Sequence, residues 1–338
     1  MNQPISPTMM NPVPVTILTG FLGSGKTTLL NRILHEHHGR RIAVIENEFG
    51  ETGIDNEILV QESGEHIIEM NNGCICCTVR GDLIRILGEL QRRRADGELT
   101  FERVIIETTG LADPAPVAQT FFVDDDIHEN YILDAIVTTV DAKHAQQQLD
   151  DHHEAQEQIG FADRILITKG DLVPESQIQT LRERLIRLNP RARSSLAIHG
   201  QVNLAEILDI RGFRLDAILD IEPDFLKDVS HTHDDSVASF VFQESRPLDL
   251  ARLEAFFSEV LAEYGPHLMR YKGILNIAND PNQKVFQGVH MLMGVSDWAP
   301  WKVGQPRQTK VVFIGKNLPA EHLINGLRNC VTDHDFSP

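Results

Sequence analysis

The chain has 338 residues, 41% of them hydrophobic and 24% charged, which suits a globular protein with a sizeable core and room for two domains. Its formal net charge of -18 excludes unassisted binding to nucleic acid or to an anionic membrane, because the surplus of Lys and Arg that neutralises phosphate is missing. No run of sequence approaches the ~18 apolar residues of a membrane span, and the first 12 residues carry no Lys or Arg, so no secretory leader is read and a cytoplasmic protein is expected.

Val13 to Leu18 is an apolar run suited to a buried strand. It leads into Gly20-Phe21-Leu22-Gly23-Ser24-Gly25-Lys26-Thr27, which fits the phosphate-cradling loop Gly-x4-Gly-Lys-[Ser/Thr] at every fixed position. Leu29, Leu30, Ile33 and Leu34 then recur at helical spacing. Strand, glycine loop and helix in this order predict a nucleotide triphosphatase. The backbone at Gly20, Gly23, Ser24, Gly25 and Thr28 faces the phosphates, Lys26 reaches the β and γ oxygens, and the Thr27 hydroxyl binds Mg2+.

A second strand, Arg41 to Ile45, ends in the acidic loop Glu46-Asn47-Glu48-Phe49-Gly50-Glu51. His66 to Met70 forms a short strand running into Asn71-Asn72-Gly73-Cys74-Ile75-Cys76-Cys77, and Leu83, Ile84, Leu87 and Leu90 mark the helix after it. Three cysteines at one strand-to-helix turn point to metal rather than to a disulfide framework. Extended residues two apart share a face, so Cys74 and Cys76 converge on one ion while Cys77 points elsewhere unless the turn re-aims it. Two thiolates leave a tetrahedral site incomplete, and Glu46, Glu51 or a histidine would complete it. Thiolates favour Zn2+ or Cu+, whereas carboxylates widen the site toward Co2+ or Ni2+. The competing reading is three buried or redox-active cysteines.

Val104 to Ile106 is another buried strand, followed by Glu107-Thr108-Thr109-Gly110. Here Glu107 fits a carboxylate that holds Mg2+ through water, and the Gly110 N–H approaches the γ-phosphate. Ile132 to Val140, Arg164 to Ile167 and Ser195 to Ile198 supply three more strands between helical segments, so the sheet is mainly parallel. Thr168-Lys169-Gly170-Asp171 follows the strand at 164–167, where GTPases place Asn-Lys-x-Asp. The Asp171 carboxylate can accept from both N1–H and the amino group of guanine, a donor pair adenine lacks, so GTP is favoured over ATP. Thr168 replaces the usual Asn. No residue stands out to position the attacking water, and slow intrinsic hydrolysis is expected.

His35, His37 and His38 close the first helix, where cationic charge complements its dipole. His152 and His153 fall on an acidic helical face and are expected to be solvated, and Cys330 is a packed thiol. Residues 223–236 form a connector whose His231 and His233, beside Asp234 and Asp235, are candidates for metal capture. The nucleotide-binding domain therefore takes 1–222, and a second domain takes 237–338 with the order β-α-β-β-β-α. Its strands are Val237 to Phe242, Leu268 to Ile277, Lys284 to Met293 and Thr309 to Ile314, with one helix over Leu250 to Tyr264 and another from about Pro319. Phe256, Phe257, Met291 and Met293 are assigned to its core.

With these residues in place, the chain resembles the CobW/YjiA-like family of P-loop GTPases. The resemblance rests on the phosphate loop, Glu46 to Glu51, Gly73-Cys74-Ile75-Cys76-Cys77, Glu107 to Pro114, Thr168 to Asp171, and the second-domain stretches Arg270 to Gly273 and Phe286 to Val289. It implies an α/β P-loop NTPase domain with a mainly parallel sheet, followed by a smaller α+β domain. It also implies a GTP-binding, GTP-hydrolysing metallochaperone, with Cys76, Glu46 and Glu51 as an ion-binding set, zinc as the usual metal and cobalt or nickel also bound. The expected partner is a client metalloprotein, with self-association compatible but not required. The alternative is a regulatory GTPase switch with structural or redox-sensing cysteines.

Overall fold

The computed structural model describes residues 12–36, 39–46, 56–60, 66–70, 79–210, 212, 236–302 and 304–332, with backbone alone at 56–60, 66–70, 79, 125 and 298. The strands of the first sheet are β1 (Val13–Gly20), β2 (Ile42–Glu46), β3 (Asn56–Val60), β4 (His66–Met70), β5 (Arg103–Glu107), β6 (Tyr131–Asp141), β7 (Arg164–Thr168) and β8 (Arg193–Ala197). They lie in the order β4-β3-β2-β5-β1-β6-β7-β8. From β2 to β8 the neighbours are parallel, while β3 pairs antiparallel with β2 and β4 antiparallel with β3. The apolar runs predicted the parallel part. The strand at Asn56–Val60 was not expected, because a short segment outside the alternation of strands and helices carries no crossover signal.

Both faces of the parallel part are covered by helices, which is why its strands are apolar on both sides. Alternation sorts them: Ile105 packs with Leu29, Leu30 and Ile33 of α1 (Lys26–His35), whereas Val104 and Ile106 pack with Leu83 and Leu87 of α2 (Val79–Ala95). The remaining helices of this unit are α3 (Ala115–Val123), α4 (Asp125–Asn130), α5 (Ala145–Asp151), α6 (His153–Phe161) and α7 (Glu175–Leu188). At the strand starts Arg103, 2% exposed, donates to Asp134 at 2.8 Å and also pairs with Asp209. The acidic helical face expected around His152 is broken there: His152 is extended (φ -134, ψ 117) between α5 and α6.

The second unit contains β9 (Val237–Glu244), α8 (Leu250–Tyr264), β10 (Leu268–Leu275), β11 (Asn282–Val289), β12 (Leu292–Pro300), β13 (Thr309–Lys316) and α9 (Ala320–Asn329). Its strands form an antiparallel sheet ordered β12-β11-β10-β13-β9. The single strand expected over 284–293 is two. Val289 pairs with Leu292 across a two-residue turn in which His290 has φ 51, the positive value tight hairpins require. Five strands result, and two core assignments fail: Met291 sits at the hairpin tip, 57% exposed, and Met293 lies on the edge strand, 37% exposed. Phe257 does enter the core, against Phe286 and Phe313.

The two sheets share a core, since Met269, Val289, Val312 and Ile314 pack into the same apolar cluster as Ile159, Phe161, Leu185 and Leu188. Among the described residues no helix is long and apolar enough to cross a membrane.

Candidate functional site

The phosphate loop is docked against β6. Gly20 has φ +143, and a Cβ there would lie 2.4 Å from the Thr139 carbonyl oxygen, so only glycine fits between the two backbones. Ser24 is fully buried with its Oγ 2.7 Å from Thr139 Oγ1. Gly23, Thr27 and Thr28 are exposed, and Gly25 opens α1 with φ 95. The first turn of α1 carries no carboxylate, so its free N–H groups and dipole end favour an anion.

Lys26 lies in the mouth of this loop, 8% exposed, its Nζ donating to Gly20 O at 2.8 Å and to Phe21 O at 3.3 Å. Burial pushes the ammonium below its ordinary value, and the nearby Glu107 carboxylate acts in the opposite sense. A phosphate would oppose that desolvation further.

Thr27 Oγ1 donates to Glu107 Oε1 at 3.2 Å, joining the first helical turn to the end of β5. Two oxygen ligands so placed fit Mg2+, a hard cation that keeps several waters and takes one or two protein oxygens. Beside them, Glu46 stands in register with Glu107 across the β2–β5 pair, so two strand-end carboxylates share one sheet face. The segment leaving β5 is fixed by Thr108, whose N–H donates to Leu18 O at 2.9 Å and whose Oγ1 donates to Thr19 Oγ1 at 2.8 Å. Gly110 then crosses the phosphate loop so closely that a Cβ would fall 2.6 Å from Leu22 Cδ2 and 2.8 Å from Leu22 Cα.

The loop after β7 braces the phosphate loop from the other side. Thr168 Oγ1 donates to Ser24 O at 2.7 Å, so the residue standing where Asn is usual still holds the glycine loop. Lys169, at φ 55, donates to Gly23 O at 2.8 Å and to Asp141 Oδ2 at 2.6 Å. Asp171 lies in the 3-10 turn Gly170–Leu172, with His199 Nε2 3.8 Å from its Oδ2.

Sequence reasoning missed Asp141. It is 1% exposed, ends β6, and accepts from Lys169 Nζ, His144 Nδ1 and the Lys143 N–H. Burial pushes its carboxyl up, but the bonds from His144 and Lys169 outweigh burial and hold it below the ordinary range. The signal was available: an acid closing a long apolar strand is the rule that singled out Glu107. Phe21 was also missed as a contact; its ring lies 4.7 Å from that of His152.

Of the predicted metal ligands only Glu46 lies among the described residues. Glu51, Cys74, Cys76 and Cys77 lie outside them, as do His231 and His233. Among the described residues no group of three or more His, Cys, Asp or Glu side chains is placed to hold a metal.

Residues 14–195 match the model of the CobW/HypB/UreG nucleotide-binding domain. The chain belongs to this family. Residues 237–331 match the cobalamin synthesis protein CobW C-terminal domain. The chain is 42% identical over 316 residues to the zinc chaperone YjiA of Escherichia coli, covering 93% of this chain and 97% of that protein. It is 33% identical over 354 residues to the zinc chaperone CobW of Pseudomonas aeruginosa, covering 94% and 92%. The crystal structure of the Zn(II)-bound YjiA GTPase from Escherichia coli matches with a TM-score of 0.79 at 36% identity, over 96% of this chain and all of that one. A CobW-type P-loop domain joined to a CobW C-terminal sheet is thus the architecture of this chain.

Proposed function

We propose that this chain binds and hydrolyses GTP and uses the nucleotide state to control delivery of a zinc ion to a client metalloprotein. The observation that carries this reading is the pairing of Glu46 with Glu107. One carboxylate belongs to the predicted metal set and the other hydrogen-bonds Thr27 of the phosphate loop, on adjacent strands at the same level of the sheet. A shift of either strand end with phosphate occupancy reaches the other directly.

In this reading the first-turn N–H groups of α1 and the Lys26 ammonium bind the β and γ oxygens, Lys26 exchanging its two carbonyl partners for them. Thr27 and Glu107 hold Mg2+, which when bound neutralises charge developing on the phosphoryl oxygens. The Gly110 N–H faces the γ-phosphate. Asp171 recognises guanine, while Lys169 ties the base loop to Gly23 and Asp141. Glu46, Glu51, Cys74, Cys76 and Cys77 hold the zinc, with Co2+ or Ni2+ as competing ions. The zinc relatives and the Zn(II)-bound YjiA structure support the metal. Residence in the cytoplasm and a division into 1–222, connector 223–236 and 237–338 belong to the same proposal.

The test is competitive Zn2+ affinity, measured with a chromogenic chelator under anaerobic reducing conditions, for wild type and Cys76→Ser. Each is loaded with GDP or a non-hydrolysable GTP analogue. A tight site lost in the variant and shifted by nucleotide at least about fivefold, a coupling of ~1 kcal/mol, is expected. Equal zinc affinity in both nucleotide states would refute the coupling, and weak binding unchanged by the substitution or by nucleotide would favour the regulatory switch instead.

A further inference from the structure

The segment after Glu107 rests on one side chain that no motif predicted. Gln158, in α6, is 1% exposed. Its Nε2 donates to the carbonyls of Gly110 and Ala112, both at 3.1 Å. Carbonyls only accept, so the amide orientation is fixed: the nitrogen faces the segment and Oε1 faces away. That oxygen is buried and has no hydrogen-bond partner among the described residues. The backbone carbonyl of Gln158 accepts from Thr138 Oγ1 at 2.8 Å, pinning this point of the helix to β6.

The neighbouring residues of the same helix hold the second sheet. Gln156 Oε1 accepts from the Val237 N–H and Ser236 Oγ, both at 3.0 Å, at the start of β9. Glu157 pairs with Lys316 at the end of β13. Just past the helix, Asp163 pairs with Arg270, which also donates to Phe161 O at 2.5 Å. One short helix and the residue just past it therefore grip the Gly110 segment through the middle of the helix and three strands of the second sheet, β9, β13 and β10, through its flanks.

We infer that Gln158 is a positioning residue for nucleotide hydrolysis, acting through the Gly110–Ala112 carbonyls it holds, and that α6 transmits displacement of this segment to the C-terminal sheet. The inference rests on the GTPase reading above. The Gly110 carbonyl belongs to the 110–111 peptide, joined at the Gly110 Cα to the peptide that carries the Gly110 N–H, so losing both donors releases the backbone next to that N–H without removing any group that touches nucleotide. A displacement that reaches α6 through Gln158 is passed on by its Gln156, Glu157 and Phe161 contacts, which hold β9, β13 and β10.

The experiment compares full-length wild type with Gln158→Met, which keeps the side-chain volume and removes both donors and the orphan acceptor. Expected is a kcat for GTP lower by about 10- to 100-fold, the range for a misplacement approaching 1 Å, with GTP and GDP affinities within about threefold. Hydrogen exchange of the β9 peptide 237–244, different between GDP and a non-hydrolysable GTP analogue in wild type, should lose that difference in the variant. A kcat unchanged by the substitution, or lowered only in step with nucleotide affinity, overturns the positioning role. A wild-type β9 peptide indifferent to nucleotide overturns the transmission. Should wild type fail to bind or hydrolyse GTP, the GTPase reading fails by itself. Exchange at residues 108–114 without nucleotide then decides whether Gln158 holds the segment: faster exchange in the variant supports it and equal exchange refutes it.

Discussion

Substituting Gly110 by alanine tests how tightly the Glu107 to Gly110 segment is packed on the phosphate loop. The added Cβ would sit 2.6 Å from Leu22 Cδ2 and 2.8 Å from Leu22 Cα, against about 3.4 Å for ordinary packing. The Leu22 side chain is 55% exposed and can swing aside, but its Cα cannot move without the glycine loop. Relief therefore requires the two backbones to separate by roughly 0.6 Å. Overpacking of this kind costs about 1–3 kcal/mol. The larger effect is on chemistry, because a displacement approaching 1 Å at a positioned donor lowers rate by up to ~100-fold. Single-turnover GTP hydrolysis by Gly110→Ala should fall about 10- to 100-fold while GDP binding, which needs no γ-phosphate contact, changes little. The double variant Leu22→Ala/Gly110→Ala should keep most of the defect, since the clash with the backbone of residue 22 remains. A single variant that hydrolyses GTP within about twofold of wild type would refute the packing argument, and full recovery in the double variant would place the clash in the Leu22 side chain instead.

Lys26→Met should lower nucleotide affinity by about 10- to 100-fold, the worth of charge-assisted hydrogen bonds at ~1.5–3 kcal/mol. Its nucleotide-free melting temperature should hardly change, because the lost ammonium is already penalised by burial; calorimetric titration and a melting scan check both. Asp141 is held below the ordinary carboxyl range, so its contribution is fully present above the unfolded value near ~4 and is lost as pH falls through the lower folded value. The urea midpoint of wild type should exceed that of Asp141→Asn at neutral pH, and the gap should narrow below about pH 4. Arg103→Met leaves Asp134 buried beside an apolar side chain and should cost about 3–5 kcal/mol in urea unfolding, with nucleotide affinity of the folded protein unchanged.

The sequence by itself determined the local chemistry. Gly20 to Thr27 needs only consecutive residues to form a loop and a helix start, and a glycine-lysine-threonine pattern between an apolar strand and an amphipathic helix has one physical use. Glu107 was legible for the same reason: a carboxylate closing a buried strand has somewhere to act. The parallel sheet followed from apolar runs too short for helices and separated by helical periodicity.

What the tertiary structure alone decided are relations between residues far apart in the chain. That Glu46 stands beside Glu107 depends on β5 inserting between β1 and β2, an order no local pattern encodes. That Lys169 reaches both Gly23 and Asp141, and Gln158 both Gly110 and Ala112, depends on where crossovers deliver their helices and loops. The turn at His290 escaped notice because its Asx-free, glycine-poor sequence carries no turn signal; the positive φ is imposed by closure of the β11–β12 pair. Periodicity reports which face of an element is buried, and short-range steric and hydrogen-bonding rules report how it begins and ends. Neither carries the partner across the core, because burial is satisfied by any apolar surface of the right shape, and only the assembled packing selects one.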